Sequence, residues 1–584
     1  PAGDVTHRSV KPRYFADDGV WQIPRWLLGQ VPRLVQTCVG EIGLVVKPGS
    51  WGVWAPQAWS EDERATCASA GIRVKEPREG LVVAGAKFTD ETAMPGPAVT
   101  PGGEDFAKGY LEVVVKRAER LCKACAELPE HAAGAYPAHK IALRILVDCA
   151  KPRLAFFTRV ARPALVLATA RKFDELLWRA AATLMELSEE EAGRSREQAS
   201  RRAVDGGLGL QREERRCAFA YLGSWLDVAE VLSFERDVFE AARDTGSPVG
   251  RRLRQVYEAC AEANGEKLPP SLTEFLKEVD PASVERKYTR ESDGSVRWQA
   301  LLMRGKDEED AQRWLDKAPK KTKRRLQEMG GAWIFGPDVH GCLLVGRAWK
   351  VAMRLRFGLS VRPAMPEGVE GQRACQIVNE KGDRCRFELD DEGHHACACT
   401  KGGQQTTRHT VVVRELLKAV KRRGVWAREE QWVDELTERK FEKGEDGEVT
   451  VQTKQARLDL VVRDGARLWW VDFTCFHPFI GSGKRIGERT GTWSLEKREG
   501  LKNRQYTVGQ AGRRQVPNGQ LVPLVANSYG SIGGVGRGFL TMLDQKAFWL
   551  GRECAHERLQ PFVESLVVFL TAQNVIAAYG RVVV

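Results

Sequence analysis

The feature that most constrains this chain lies between residues 375 and 403. Cys375-x9-Cys385-x9-His395-x3-Cys399 places four soft or borderline metal ligands in a polar stretch with too few apolar residues to bury a core. Such a segment folds when tetrahedral coordination by thiolates and imidazole supplies the energy a core would otherwise give. The spacing therefore predicts a small zinc-binding module. Finger-like sites commonly begin with a tighter cysteine pair, and Cys397 and His394 compete for places in the same run, since adjacent ligands cannot all face one ion. A second cluster, Cys122-x2-Cys125 with His131 and His139, falls on an amphipathic helix, where cysteines are usually core residues.

Everything outside that module must fold by ordinary burial. The 584 residues hold about three to five cores at roughly 150 residues each. A hydrophobic fraction of 43% and a charged fraction of 29% exclude a fibrous or disordered chain. The 14 cysteines are scattered, which fits intracellular thiols plus a metal site better than a secreted disulfide scaffold. Against 78 Asp+Glu stand 90 Lys+Arg, a net charge of +12, and this balance points to a polyanion, most often nucleic acid. Lys320, Lys321, Lys323, Arg324 and Arg325 form a basic run on or beside a helix, by default a solvated face and otherwise a nucleic-acid contact. No signal peptide is visible, and Leu559–Tyr579, with Glu564, Gln573 and Asn574, is too polar to span a bilayer. It is expected as a buried terminal helix, and no membrane partner is expected. The chain starts at Pro1 rather than Met and is expected to begin inside a longer protein.

Short strands are predicted at Pro12–Phe15, Ile42–Val46 and Leu81–Ala84, and a helix at Trp26–Gly40. Leu111, Val114, Val115, Ala118 and Leu121 recur at helical spacing, and further helices are predicted at Ala138–Cys149, Ala170–Met185 and Glu213–Leu232. Pro363–Pro366 reads as a linker, and from His409 onward a helix, strands Arg457–Val462 and Leu468–Phe473, and more helix indicate an α/β domain. Two sets of acids stand out. Tyr14-Phe15-Ala16-Asp17-Asp18-Gly19 suits a hairpin with both carboxylates at its tip, where a divalent cation would offset their repulsion; an exposed turn is the plainer alternative. Asp459 and Asp472 lie on two strands joined by the turn Arg463–Arg467, close enough to share a cation for phosphodiester hydrolysis.

These motifs, in this order, resemble the non-LTR (LINE-type) retrotransposon polyproteins. Tyr14–Asp18 resembles the catalytic hairpin of reverse transcriptases, and Leu81–Gly85 their primer grip. Asp17 and Asp18 would be two of three magnesium-binding carboxylates, the third belonging to an earlier strand absent from this chain. Where the family places a lysine facing the triphosphate, this chain has Ser50, with Lys47 three residues earlier. Arg153–Arg159, Phe173-Asp174 and Gly206–Leu210 resemble the thumb. The run from Asp391 to Gly403, followed by Arg408-His409, resembles the CCHC knuckle that precedes a restriction-like endonuclease, with His395 and Cys399 in ligand places and the Arg-His pair implied to touch nucleic acid. Thr410 replaces the usual Asn or Asp after that pair. Asp459 and Asp472 then match a PD-(D/E)xK nuclease, with Thr474 where the lysine usually stands and Lys502-x3-Tyr506 as its displaced form. Glu430, after the first helix, matches the early acidic residue, with Glu429 an alternative.

The resemblance implies a multidomain α/β and α chain. Its parts would be a partial palm (1–92), a helical thumb (93–284), a helical connector (285–365), a zinc knuckle (366–404), a restriction-like endonuclease (405–520) and its C-terminal strand and helix extension (521–584). It implies target-primed reverse transcription in the nucleus, after a cytoplasmic ribonucleoprotein stage. The nuclease, using Mg²⁺ or Mn²⁺, nicks target DNA, and the freed 3′-hydroxyl primes copying of the element's RNA. The rival expectations are a catalytically dead nucleic-acid-binding remnant and a host-domesticated nuclease.

Overall fold

In the computed structural model, the described residues are 11–15, 18–22, 52–54, 59–70, 72–75, 81–83, 86–88, 101–132, 137–155, 157–232, 243, 246–264, 268–278, 288, 296–336, 343–369, 371–385, 387–432, 438–443, 449–454, 457–479, 494–507, 520–549 and 558–580. The chain is mixed α/β and mostly helical, with a four-stranded sheet as its largest described sheet. It divides into two compact units. One is Pro1–Ala118, Pro152–Phe173 and Glu213–Lys306; the other is Glu119–Lys151, Asp174–Arg212 and Asp307–Val584.

In the first unit, Lys11–Phe15 and Asp18–Gln22 form the expected hairpin, with Phe15 opposite Asp18. Asp17, the helix expected at Trp26–Gly40, the strand at Ile42–Val46, Lys47 and Ser50 lie outside the described residues. Gly52–Trp54 and Arg73–Lys75 pair in parallel across the helix Glu61–Ser69, and Leu81–Val83 pairs with Ala86–Phe88 as a second hairpin. The helical part packs Tyr221, Leu222 and Leu226 from Glu213–Leu232 against Leu253, Val256 and Tyr257 from Pro248–Asn264. Trp298 completes this core, and its backbone N–H donates to the Asp227 carboxylate at 2.8 Å, capping the helix that it opens. Gly223 lets the two helices touch, because a Cβ there would lie 2.5 Å from the Gln299 Cα.

The second unit is built on helix α1 (Gln404–Arg422), strands β1 (Trp426–Trp432), β2 (Arg457–Asp464) and β3 (Arg467–Phe476), helix α2 (Leu495–Thr507), strand β4 (Leu521–Asn527), and helices α3 (Gly534–Trp549) and α4 (Leu559–Tyr579). The strand order is β4-β3-β2-β1; β1, β2 and β3 are antiparallel neighbours, and β4 joins β3 in parallel. Asp464 faces Arg467, so Gly465 and Ala466 form the turn, and Gly465 takes the left-handed φ of +60° that a two-residue hairpin requires. Pro523, unable to donate to a ladder, sits on an edge strand. One sheet face, Ala427, Leu460, Val462, Val471, Phe473, Val522 and Leu524, buries against α1, α3 and α4. The segment after residue 520 is therefore a full partner in this core, supplying a strand and two helices. Helix α4 is indeed a core helix: 72% of its most apolar window is buried. Asp544 ties the helices together, accepting from Leu559 N–H at the start of α4 and pairing with the buried Arg423 at 3.3 Å.

Candidate metal centre and candidate nuclease site

The knuckle is a miniature hairpin followed by one helical turn. Cys375 N–H donates to Phe387 O at 3.0 Å and Cys385 N–H to Ile377 O at 2.8 Å, so the first two ligands sit on paired strands. The Asn379 side chain tightens the turn, accepting from Lys381 N–H at 3.1 Å and Asp383 N–H at 2.8 Å. Asp390 then caps the helix His394–Ala398, one carboxylate oxygen taking His394 N–H at 2.9 Å and the other His395 N–H at 2.8 Å. Sequence reasoning missed Asp390, although an acid just ahead of the ligand turn was a signal for it.

These supports bring Cys375, Cys385, His395 and Cys399 together, with all four ligand atoms within 4.8 Å of one another. Cys375 Sγ and Cys399 Sγ are 3.9 Å apart, and Cys385 Sγ and His395 Nε2 3.4 Å. A tetrahedral zinc with Zn–S near 2.3 Å and Zn–N near 2.0 Å demands edges of about 3.8 and 3.5 Å. The donors thus fit a metal ion such as zinc. The Cys399 thiol is held well below its ordinary range, first by the hydrogen bond from Cys375 and then by His395 and a backbone N–H, as suits a thiolate ligand. The competing residues point elsewhere. Cys397 is packed in the interior, and His394 joins Glu392 at 3.2 Å to His477 at 2.9 Å. Among the described residues Cys122, Cys125, His131 and His139 form no ligand group; both cysteines are buried on the helix Pro101–His131, and His139 stacks on Trp349 with ring centres 5.0 Å apart.

The second centre lies on the sheet face opposite the helical core. Leu460 faces Val471, which sets Asp459 opposite Asp472 where β2 and β3 leave the ladder. Asp459 accepts from Phe473 N–H at 2.7 Å and holds His409 Nε2, from the first turns of α1, at 3.0 Å. Lys502, from α2, reaches both oxygens of Asp472, at 3.1 and 2.8 Å. Tyr506, one turn further, packs against Leu458 with Trp470 and Leu521. Burial, partly offset by Lys502, pushes the Asp472 carboxyl up, while burial and Asp472 push the Tyr506 hydroxyl up. His409 is raised above its ordinary value, chiefly by its hydrogen bond to Asp459. Four elements thus bring Asp459, Asp472, Lys502, Tyr506 and His409 to one place. Glu430 lies on strand β1 between Glu429 and Gln431, whose partners are Leu460 and Leu458, so its backbone stands opposite Asp459; its side chain, like that of Asp18, lies outside the described residues.

The chain matches no protein-family model and no curated protein.

Two of the residues expected to touch nucleic acid, Arg408 and Arg325, are buried in the fold. Arg408 is 1% exposed and donates to Thr571 Oγ1 at 3.1 Å, because it lies on the buried 408/412/416 stripe of α1. Arg325 is buried too, donating to Gln198 at 3.2 Å in space left by Gly358, where a Cβ would collide with its guanidinium. His409 serves Asp459, Lys321 pairs with Glu392 at 2.6 Å, and Lys323 donates to Asp316 O at 3.0 Å. Lys320 is exposed and Arg324 half-buried.

Proposed function

We propose that this chain derives from a non-LTR retrotransposon protein and that its α/β domain nicks target DNA through a metal-dependent restriction-like nuclease site. The observation that carries the reading is the meeting of Asp459 and Asp472 on adjacent strands with Lys502 2.8 Å from Asp472. Two hard carboxylates side by side suit Mg²⁺ or Mn²⁺. A cation held there supplies the Lewis acid that polarises a phosphodiester and makes bound water acidic. Asp459 and Asp472 would be its ligands, with Glu430 as an assisting acid. Lys502 neutralises Asp472 and stands ready for the charge that develops on the scissile phosphate. His409 fixes the orientation of Asp459, and Tyr506 walls the site. The zinc knuckle is structural in this reading, and the reverse-transcriptase hairpin at Asp17 and Asp18 marks the polymerase part. The partners are chromosomal DNA in the nucleus and the element's RNA template.

The test is nicking of supercoiled DNA by the full chain with Mg²⁺ or Mn²⁺. Nicking lost in Asp459→Ala and Asp472→Ala, with DNA binding retained, supports the site; equal rates in the variants and the parent would refute it.

A further inference from the structure

The strand alternation that buries Ala427, Leu460 and Val462 turns Trp426, Arg428, Asp459, Arg463 and Asp472 to the other face of the sheet. On that face Trp426 is 42% exposed, a large aromatic left at the surface. Arg428, two residues along β1, and Arg463, directly across on β2, each hold their guanidinium carbon 5.3 Å from the Trp426 ring centre. Two like charges on one indole repel, and among the described residues neither is paired with a carboxylate. The adjacent acids are engaged elsewhere: Glu429 with Arg414 at 3.5 Å and Asp464 with Lys546. Cation–π contact offsets part of that repulsion and limits the rotation of both arginines. The result is a pre-formed pair of positive charges on the same face as the Asp459/Asp472 site.

We propose that this face is the track for duplex DNA, with Arg428 and Arg463, held on Trp426, gripping backbone phosphates to one side of the cut. The proposal rests on the nuclease reading above. From Asp459 to Arg463 is four residues of strand, roughly 13 Å. At 3.4 Å per base pair, the grip falls about four base pairs from the scissile phosphate. Arginine without a carboxylate partner suits phosphate, and the indole edge between the two suits the apolar rim of a sugar.

The experiment uses the full chain and a duplex several helical turns long, with affinity measured across a salt series, the nick site footprinted and nicking rates taken at saturating DNA. The double variant Arg428→Gln/Arg463→Gln should bind on the order of tenfold or more weaker and lower the salt slope by about two, one phosphate each. Protection should disappear about four base pairs from the nick, with the saturated nicking rate kept within about twofold. Trp426→Ala, which keeps both charges but frees them, should weaken binding while keeping the slope. Unchanged affinity and slope in a double variant that melts like the parent would overturn the proposal, as would equal loss on RNA duplexes with none on DNA. Asp472→Asn separates the two readings: if it nicks normally, the nuclease assignment falls while the salt slope still judges the track.

Discussion

The knuckle and the sheet hold their candidate sites by opposite means. Around Cys375, Cys385, His395 and Cys399 the chain has short bridges, an Asx turn and one helical turn, and the three ligand cysteines are buried with only a few apolar neighbours from the segment itself, Ile377, Leu389, Ala396 and Cys397. Around Asp459 and Asp472 the apolar alternation of β2 and β3 is already anchored by α1, α3 and α4, and the acids project from a finished scaffold. Removing a ligand from the first should therefore destroy structure, whereas removing an acid from the second should destroy only chemistry. The two regions share α4. Its buried face includes Phe562, Val563 and Leu566 in the sheet core, while its far end takes Gln376 N–H on Ala578 O at 2.9 Å and donates the Tyr579 hydroxyl to Asp390 O.

The largest effect should come from the sheet acids. Asp459→Ala or Asp472→Ala should lower nicking by roughly a thousandfold or more, the scale of losing a metal's several kcal/mol of charge stabilisation. Melting temperature should change little for Asp472→Ala, since relief of that buried carboxylate offsets the loss of its pairing with Lys502. Unfolding of both variants would mean that the sheet resembles the knuckle after all. Next comes Cys385→Ser. The purified parent should carry a single zinc by mass spectrometry, and the variant little or none. Its knuckle should lose protection from proteolysis while α1 and the sheet keep theirs, because zinc binding energy is local folding energy. A knuckle that stays protected without metal would erase the contrast.

Much of this contrast was legible in sequence because both sites are local. Ligand spacing marked the metal-binding run while leaving Cys397 and His394 in competition, the family resemblance singled out His395 and Cys399, and alternation with an Asp-Gly turn picked the paired strands and both aspartates. What escaped depends on contacts distant in sequence. Arg408 looked like a surface base, and only the packing of α1 against α4 buries it on Thr571. His409 looked like its companion, and only the fold brings it 50 residues along to Asp459. The Arg428–Trp426–Arg463 cluster joins two strands whose pairing follows a long insertion, and no local motif announces it.

Lys502 tests how far the sheet's chemistry depends on a borrowed side chain from α2. Lys502→Ala should slow nicking about a hundredfold, the scale for one preorganised donor, with affinity for DNA nearly unchanged. Because Lys502 also offsets the burial of Asp472, its removal should weaken the preference of that carboxyl for the ionised form. The nicking rate of the variant should consequently recover toward alkaline pH. A rate lost equally at every pH would confine Lys502 to the phosphate.

The effect at α4, the element common to both regions, is on stability and not on rate. Glu564 is buried there, accepting from Trp333 N–H at 3.3 Å and from Gln560 at 2.9 Å, and burial pushes its carboxyl up to about 7. A folded value above the ordinary 4.5 means that the native state prefers the proton. Its stabilising contribution is complete below about 4.5 and is lost as pH rises toward 7. Glu564→Gln removes the charge and, like the protonated acid, keeps a carbonyl oxygen to accept one of the two hydrogen bonds. The variant should match the parent near pH 4.5 and exceed it by roughly 3 kcal/mol at most near pH 8, from about 2.5 units at 1.36 kcal/mol each. Urea melts at both values measure the difference. If α4 is truly shared, the gain should appear together in a probe of the sheet, such as Trp469 fluorescence, and in release of zinc from the knuckle. A gain seen by the tryptophan alone would show that the knuckle melts independently, held by its metal and not by the helix beneath it.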